Sequence, residues 1–429
     1  MIETIKKYTE NKYISFHTPA HKGRNKYLNR ILKSGYDLTE LSETDNLFYE
    51  NGCIKDLEER LAKTYGADTF YPLVNGATSG VMAACNLFCE NDKIVVDRNC
   101  HISLINALIL NGVKPVFIET ELNRYGIPMP PTPDKIRKTL SENEDAKGLF
   151  ITSPNYYGMR AELKEISDIC KKKNIISIID EAHGTHFYYK EDIKTGADCG
   201  FDICILSFHK NLVSLTQTGG ILINNKLYRE KIKQNLRCFT STSPSYLFML
   251  SIDVMDKYMK DKGKKELEKY YDYLNKVKKE IANLGVEILT SNDPFKFVIN
   301  CEKANEKAQL IKKEFKIVCE MCDDTNVTYI VSIHNTKKEI GLLKKAILKH
   351  LINPSLKADK FILPKAILTP KEAVNKELEE IEISKALGRI SGEYIIDFPP
   401  SVPIIIPGEI IDEEIVGNIK KDKIKCVVQ

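Results

Sequence analysis

Between about residue 70 and residue 225, short apolar segments alternate with amphipathic segments of helical length. The apolar segments are rich in β-branched residues, which is typical of strands. Neighbouring parallel strands need a crossover connection, usually a helix. The sequence therefore predicts an α/β fold with a mostly parallel sheet, flanked by helices on both faces. The predicted strands are "KIVVD", "VKPVFIE", "KGLFITSP", "IISIIDEA", "FDICILSF" and "GGILIN".

The chain has 429 residues, enough for two or three domains of ordinary size. We interpret residues 1–50 as an N-terminal segment, 51–285 as the large domain, and 286–429 as a smaller C-terminal α/β domain with a tail. Residues 243–285 are charged and helical in pattern, and Pro244 suits a first helical turn. The tail contains "FPPSVPIIIPGE", whose prolines favour extended structure.

Charge and hydropathy narrow the class of protein. Acidic and basic residues nearly cancel to a net charge of +4, and the lysines are spread along helical faces, so no nucleic-acid partner is expected. The chain does not open with a basic segment followed by an apolar stretch. No apolar run approaches the roughly 18 residues of a membrane span. We therefore expect a cytoplasmic protein with no membrane partner.

The twelve cysteines are scattered, mostly within apolar segments such as "VMAACNLFC". Cysteine in such a segment behaves as a small hydrophobic residue, so we expect reduced thiols rather than disulfides. One C-x-x-C pair, Cys319 and Cys322, has no second pair or nearby histidine to complete a zinc site. No metal site is predicted.

Residues 178–186 read "IIDEAHGTH", which contains the DEAH letters of a nucleic-acid helicase. A helicase also needs a G-x-x-x-x-G-K-[ST] loop on an earlier strand to bind the phosphates of ATP. The Gly-Lys-Lys of "KDKGKKELEK" lies downstream, in a charged helical segment, and lacks the earlier glycine. Asp180 therefore needs another explanation.

Four polar clusters lie where predicted strands end. Three of them have an ordinary structural interpretation: a small-residue turn with a helix cap at 75–80, a capping or packed histidine at His101, and a surface lysine at Lys210. Together they offer a lysine, an acid and an anion-binding helix start, the groups that a pyridoxal phosphate enzyme needs. The clusters are "NGATSG" at 75–80, "RNCHIS" at 98–103, "DEAHG" at 180–184 and "SFHK" at 207–210.

The ordered set of motifs resembles the Orn/Lys/Arg decarboxylase family, whose pyridoxal phosphate enzymes share the type I, aspartate-aminotransferase-like fold. Six of the eight histidines lie within the matching segments, which scattered core histidines would not do. The chain lacks the N-terminal wing of larger relatives, so no assembly through a wing is expected. The matching segments are "HTPAHKG", "NGATSG", "RNCHIS", "SPNYYG", "DEAHGTH", "SFHK", "TSPSY" and "FPPSVPIIIPGE".

The resemblance implies a role for each site residue. Lys210 would attach pyridoxal 5'-phosphate covalently, Asp180 would keep the pyridine nitrogen protonated, and His101 would stack on the ring. Either Lys210 or His209 would return a proton to Cα. The "TSPSY" segment would reach the neighbouring subunit's site, which implies a homodimer. The implied cofactor-binding residues are Gly76, Ala77, Thr78, His101, Asp180, Ala182, His183, Ser207, His209, Lys210 and Thr242.

The chain departs from the family pattern at three positions. Ala77 replaces a hydroxyl residue, which leaves one phosphate hydrogen bond unmade, while Ala20 and Ser401 replace glycines and change backbone freedom.

A basic substrate also requires a carboxylate for its distal group, and Glu43 and Asp45 in "LSETDNLF" are candidates.

The reaction that the resemblance implies is decarboxylation of lysine, ornithine or arginine to the corresponding polyamine-type amine and CO₂. The alternatives are an aminotransferase or lyase of the same fold, and a non-catalytic relative. An aminotransferase usually binds the substrate carboxylate with a small-domain arginine, for which Arg389 is no clear match. The sequence does not separate the three basic amino acids.

Overall fold

The computed structural model describes residues 1–355, 363–397, 402–419 and 421–428. Its strands, in chain order, are β1 (Ile14–Phe16), β2 (Thr69–Leu73), β3 (Lys93–Asp97), β4 (Lys114–Ile118), β5 (Gly148–Thr152), β6 (Ile176–Asp180), β7 (Ile203–Ser207), β8 (Gly219–Ile223), β9 (Lys296–Asn300), β10 (Ile317–Cys319), β11 (Met321–Cys322), β12 (Asn326–Ile330), β13 (Leu378–Glu382), β14 (Ile395–Asp397), β15 (Val402–Ile405) and β16 (Lys423–Val427).

The helices follow the strands in alternation through the large domain. They are α1 (Ile2–Glu10), α2 (Lys26–Ile31), α3 (Cys53–Tyr65), α4 (Gly76–Cys85), α5 (Ile102–Asn111), α6 (Pro133–Glu142), α7 (Leu163–Lys173), α8 (Gly196–Cys199), α9 (Phe208–Asn211), α10 (Arg229–Cys238), α11 (Tyr246–Tyr258), α12 (Lys264–Asn283), α13 (Ala304–Phe315), α14 (Lys337–His350), α15 (Pro370–Val374) and α16 (Glu413–Asn418).

A seven-stranded sheet with the order β2-β8-β7-β6-β5-β3-β4 forms the centre of the large domain. Strands β7, β6, β5, β3 and β4 run parallel, while β8 is antiparallel to both β7 and β2. The six predicted strands are confirmed as β3 to β8. The sequence did not predict β2, which contains Pro72. Because β2 is an edge strand, the missing N–H of proline is tolerated there.

Helices cover both faces of this sheet, as predicted. Alternate residues of β6 and β7 enter different apolar clusters: Ile178 and Ile205 pack in one, and Ile179 and Leu206 in the other. All four side chains are fully buried. A sheet buried on both faces exposes functional groups only at its ends, so any site must lie at an edge.

The predicted helical region after residue 243 is one continuous helix made of α11, a π-helical turn (Met259–Gly263) and α12. Ser245 is its N-cap residue, so Pro244 precedes the helix rather than occupying its first turn. The next segment forms the antiparallel sheet β11-β12-β9 with α13 and α14. Strand β1 pairs in parallel with β10. This pairing joins the N-terminal segment to the smaller domain.

The C-terminal part has its own small core. Strand β13 pairs with β16, and β14 pairs with β15. A buried ion pair, Arg98 Nη2 to Glu409 Oε2 at 3.2 Å, joins this part to the end of β3 in the large domain. Ser401 and the adjoining "FPP" letters lie outside the described residues. The core consists of Ala386, Ile395, Ile405, Ile411, Ile415, Ile419, Ile424 and Cys426.

The structure bears on three of the expectations from composition. All twelve cysteines are free thiols. Within the described residues no group of three or more His, Cys, Asp or Glu side chains is placed to hold a metal ion. Across those same residues, no helix combines the length and the apolar character that crossing a membrane would need. The cytoplasmic location stays a prediction.

Candidate active site

A cavity of about 510 Å³ lies at the carboxyl edge of the parallel strands. This is where ligands bind in open α/β sheets, because loops after neighbouring strands converge there. Five predicted site residues line it: Asp180 at the end of β6, Ala182 and His183 just after that strand, Lys210 shortly after β7, and His101 after β3. The lining residues are His17, Thr18, Asn99, His101, Thr152, Tyr156, Asp180, Ala182, His183, Lys210, Val318, Cys319, Glu320 and Val402.

Asp180 is a buried carboxylate with a backbone hydrogen bond. The N–H of Ala182 donates to its Oδ1 at 2.9 Å. Burial raises the pKa of Asp180 above its ordinary value, and the nearby Lys210 ammonium and the Ala182 N–H only partly oppose that effect. A cation bound against this carboxylate would therefore be held strongly, since it would relieve an unfavourable buried charge.

Lys210 lies on the short helix α9, which begins directly after β7. Its Nζ lies 3.1 Å from Nε2 of His183. Burial lowers the pKa of Lys210 from its ordinary value, and the carboxylates of Asp180 and Glu320 partly offset this change. A lowered pKa increases the fraction of unprotonated amine, which is the nucleophilic form.

His101 caps a helix and also lines the cavity. Its Nδ1 accepts a hydrogen bond from the N–H of Ser103 at 3.1 Å and so caps α5. The same ring lines the cavity. Burial, with a smaller contribution from Lys210, lowers the pKa of His101 to about 4, so the imidazole is neutral near pH 7. The cap fixes the ring in place, and the neutral ring can stack on a planar ligand.

The first turn of α4 lies beside the end of β7. The Gly76 N–H donates to the Gln217 carbonyl at 2.8 Å, and Ser207 pairs with Gly219 in the sheet. Gly76 has φ of +74°, a conformation that favours glycine. Asn75, the N-cap residue, makes no side-chain cap. The N–H groups of Ala77 and Thr78 therefore begin a helix that offers an anion site.

Some predicted cofactor-binding residues lie near the cavity without lining it. His209 Nδ1 lies 3.4 Å from both Ser207 Oγ and the Thr218 carbonyl. Burial lowers the pKa of His209 to about 4. The carbonyl of His209 accepts a hydrogen bond from the N–H of Ala20 at 2.8 Å, so the Ala20 departure lies directly against the lysine segment. Thr78 and Thr242 are exposed.

This donor set fits pyridoxal phosphate. The cavity presents one amine at Lys210, one buried carboxylate at Asp180 and one imidazole at His101, and an uncapped helix start lies at the same sheet edge. The amine suits the carbonyl of that cofactor, and the carboxylate suits its pyridine nitrogen. The imidazole suits the ring face, and the helix start suits the phosphate. Ala77 contributes no hydroxyl, so the groups available to a phosphate at this edge are backbone N–H groups and the hydroxyls of Thr78 and Ser207.

The opposite wall of the cavity contains residues whose role was not predicted from the sequence. Glu320 Oε2 accepts a hydrogen bond from the Thr18 N–H at 2.6 Å, and the Tyr156 hydroxyl donates to Oε1 at 2.6 Å. Thr18 and Tyr156 lie within the motifs "HTPAHKG" and "SPNYYG", so the sequence did contain a signal for these two residues. Glu320 directly follows Cys319, in a segment considered only for its cysteines.

The structure does not bring Glu43 or Asp45 of this chain to the cavity. Glu43 is exposed. Asp45 is buried and accepts hydrogen bonds from the backbone N–H groups of Asn46, Gly52 and Ile54, among others. These bonds lower the pKa of Asp45 even though burial alone raises it. Asp45 therefore organises the turn before α3 rather than facing a substrate.

Comparison with known proteins identifies matching families over most of the chain. The family model described as "Orn/Lys/Arg decarboxylase, major domain" matches residues 1–306, and "Orn/Lys/Arg decarboxylase, C-terminal domain" matches residues 355–420. The arginine decarboxylase of Bacillus subtilis (strain 168) is 29% identical, with 97% of this chain and 92% of that protein covered. The constitutive lysine decarboxylase of Escherichia coli (strain K12) is 23% identical, with 95% and 74% covered.

Solved structures confirm the predicted fold class. The lysine decarboxylase LdcF of Francisella novicida has a TM-score of 0.80 at 18% identity, over 99% of this chain and 81% of that chain. Aspartate aminotransferase of Thermotoga maritima has a TM-score of 0.56 at 15% identity, over 81% and 96%. At these identities the likeness concerns the fold, which is the type I fold expected from the sequence.

Proposed function

The chain belongs to the Orn/Lys/Arg decarboxylase family and is an amino acid decarboxylase of basic substrates; from that premise we propose its cofactor, its residue roles and its first substrate. The cofactor is pyridoxal 5'-phosphate. The observation that supports this proposal is the convergence of Lys210, Asp180 and His101 in one cavity beside an uncapped helix start.

The residue roles follow from the positions of these groups. When bound, pyridoxal phosphate supplies an electron sink for the pair released as the bond between Cα and the carboxylate breaks. Asp180 would hold the proton on the pyridine nitrogen, and His101 would cover the ring face. Lys210 would attach the cofactor and exchange that bond with the substrate amine. Of the two candidates, Lys210 would return the proton to Cα, because it lines the cavity whereas His209 faces Ser207 and Thr218.

Glu320 is our candidate for binding the distal cation of the substrate. Apart from Asp180, it is the one carboxylate that lines the cavity within the described part of the chain. Hydrogen bonds from the Thr18 N–H, the Thr18 hydroxyl and the Tyr156 hydroxyl fix its orientation. A carboxylate has about four lone-pair positions, so it can accept further N–H donors from an ammonium or guanidinium group.

We expect Glu320→Gln to raise KM for the preferred basic amino acid by about 10- to 100-fold, since a hydrogen bond between charged groups contributes about 1.5–3 kcal/mol. Steady-state kinetics would measure the change, with Glu302→Gln, an exposed glutamate of the same region, as the matched control. Comparing arginine with citrulline, its neutral isostere, separates charge pairing from a purely structural role. Equal losses for both compounds would show that Glu320 does not contact the distal group.

Arginine is the first substrate to test. Relatives named arginine decarboxylase match 95–98% of this chain at 27–29% identity, whereas those named lysine decarboxylase match at 23%. The deciding experiment incubates the protein and pyridoxal phosphate separately with arginine, lysine and ornithine, and identifies products by mass spectrometry. We expect agmatine, cadaverine or putrescine from at least one of them. Cofactor-loaded protein that forms none of these amines would contradict the proposed substrate class.

An aminotransferase of the same fold is the second candidate. Such an enzyme needs a cation, usually arginine, to bind the substrate carboxylate. No arginine lines the cavity among the residues that the structure describes. Arg389 instead donates to the Val427 carbonyl at 2.9 Å and pairs with Glu379, both in the C-terminal part. An added keto acid would leave the carboxylate on the product if this candidate were correct.

We also propose that the protein forms a homodimer with shared active sites. The Tyr246 hydroxyl donates to the Asp45 carbonyl at 2.6 Å, which places the "TSPSY" segment against residues 36–50. Exposed Thr242 and the exposed apolar side chains of Leu38, Leu41 and Tyr49 belong to these two segments. A second copy would bury this apolar surface and bring Thr242 towards its partner.

A further inference from the structure

Lys296 is a fully buried lysine directly behind the candidate active site. It is the first residue of β9, its exposed fraction is 0%, and it does not line the cavity. Its Nζ lies 3.1 Å from Nδ1 of His183. The other ring nitrogen of His183, Nε2, lies 3.1 Å from Nζ of Lys210. His183 therefore bridges two lysines, one that lines the cavity and one that is sealed from solvent.

The charges around Lys296 favour its ammonium form. Burial lowers the pKa of Lys296 to about 8, with Asp293 and Glu320 opposing the change and Lys210 adding to it. Asp293 is also fully buried. Burial alone would raise the pKa of Asp293, but His186 and Lys296 outweigh burial and hold it below its ordinary value. A buried anion beside Lys296 thus keeps the lysine charged near pH 7.

The direction of the hydrogen bonds follows from the chemistry of the ammonium group. An ammonium has N–H donors and no acceptor, so Nδ1 of His183 must accept. Burial, the largest cause, holds the pKa of His183 well below its ordinary value, so the ring is neutral. The single ring proton is then on Nε2. That N–H is directed at Lys210, whose nitrogen must accept through its lone pair.

Packing reinforces this arrangement. The ring centroid of Tyr156 lies 4.6 Å from that of His183, and Lys296 Nζ lies 5.5 Å from the Tyr156 ring centroid. The Tyr156 hydroxyl is in turn held by Glu320. His183 therefore has little freedom to turn its ring and exchange the positions of its two nitrogens.

We propose that Lys296 is a positioning residue that holds His183 as the tautomer with a proton on Nε2, so that His183 donates to an unprotonated Lys210 amine. An unprotonated amine is the form that attacks a carbonyl carbon. The role of Lys210 in this inference rests on the proposed function. The tautomer of His183, however, can be measured without turnover.

Three variants separate the effects of donor, charge and burial. Lys296→Met removes both the N–H donor and the charge, while Lys296→Gln keeps an N–H donor without the charge. Lys278→Met is the matched control. Lys278 is also buried, and it donates to the Lys296 carbonyl at 2.9 Å, but its hydrogen bonds do not include His183. A general effect of losing a buried lysine would appear in this control as well.

The test is ¹⁵N NMR of the full chain with ¹⁵N-labelled histidine rings, with the His183 signals assigned by their loss in His183→Gln. We expect the tautomer with the proton on Nε2 in the wild type, in Lys296→Gln and in Lys278→Met, and a mixture of tautomers in Lys296→Met. After cofactor removal, recapture of pyridoxal phosphate, followed by absorbance, should slow by about tenfold in Lys296→Met, the scale of losing one hydrogen bond from a charged donor.

Two results would overturn the inference: a proton on Nδ1 of His183 in the wild type, or Lys296→Met with unchanged tautomer and recapture rate. If Lys296→Met does not fold, the wild type and Lys296→Gln still decide the question. A protein that binds cofactor and has the expected tautomer, yet releases no CO₂, would refute the proposed function and leave this inference standing.

Discussion

Lys210→Ala is expected to lose covalent cofactor attachment and to lower kcat by about 10⁴-fold or more, about 5 kcal/mol in activation free energy. The variant lacks the amine that the structure places in the cavity with Asp180 and His101. It therefore loses both the attachment point and the cavity group proposed to return a proton to Cα. Borohydride reduction followed by peptide mass mapping would locate the attached cofactor.

The control for this prediction is Lys173→Ala, which changes an exposed lysine at the end of α7. This variant should keep both attachment and activity. Mapping of the reduced cofactor to any lysine other than Lys210 in the wild type would refute the assignment, whatever the activity of the variants.

Asp180→Asn is expected to retain the cofactor but to lower kcat by about 100-fold or more, about 3 kcal/mol. The amide oxygen can still accept the Ala182 N–H, so the local geometry is preserved. A neutral amide, however, does not keep a pyridine nitrogen protonated. Visible absorbance would measure retained cofactor, and CO₂ release would measure the rate. Turnover close to that of the wild type would contradict the role given to Asp180.

The same substitution has a stability consequence with a definite sign. Burial raises the pKa of Asp180 in the folded, cofactor-free chain above that of the unfolded chain. The ionised carboxylate therefore destabilises the fold as the pH rises through that folded-state pKa. At pH 7, cofactor-free Asp180→Asn should be at least as stable towards urea as the cofactor-free wild type. A clearly less stable variant would show that the carboxylate makes favourable contacts in the absence of cofactor.

The parts of the fold that were predictable are those with a local signal. The strands β3 to β8 have apolar β-branched segments, and the site residues Asp180 and Lys210 follow two of them directly. Strand β2 lacked such a signal, because Pro72 argues against a central strand. The proline is tolerated because β2 lies at the edge of the sheet. The sequence also placed Pro244 inside a helix that begins only after Ser245.

The residues that were missed depend on contacts between distant segments. Glu320 contacts Thr18 and Tyr156. The pairing of β1 with β10, about 300 residues apart in the chain, brings Glu320 to Thr18. No local sequence pattern predicts a pairing over that separation. In the sequence, nothing distinguishes Lys296 from an ordinary lysine at the start of a strand. The fold nevertheless buries it against His183. Charge alone made Glu43 and Asp45 candidates for binding the distal group. For Asp45, the structure gives the carboxylate a local role, which is to accept backbone N–H hydrogen bonds.

The most direct test of the central claim is the reaction carried out in D₂O with arginine, lysine and ornithine, each labelled with ¹³C at the carboxylate. A pyridoxal phosphate decarboxylase breaks the bond from Cα to the carboxylate and then adds one solvent proton at Cα. We predict one ¹³CO₂ for each amine formed and a single deuterium at Cα of that amine, with both signals absent in Lys210→Ala. Loss of the amino group with the ¹³C label still on the product would instead identify a transaminase and contradict the account.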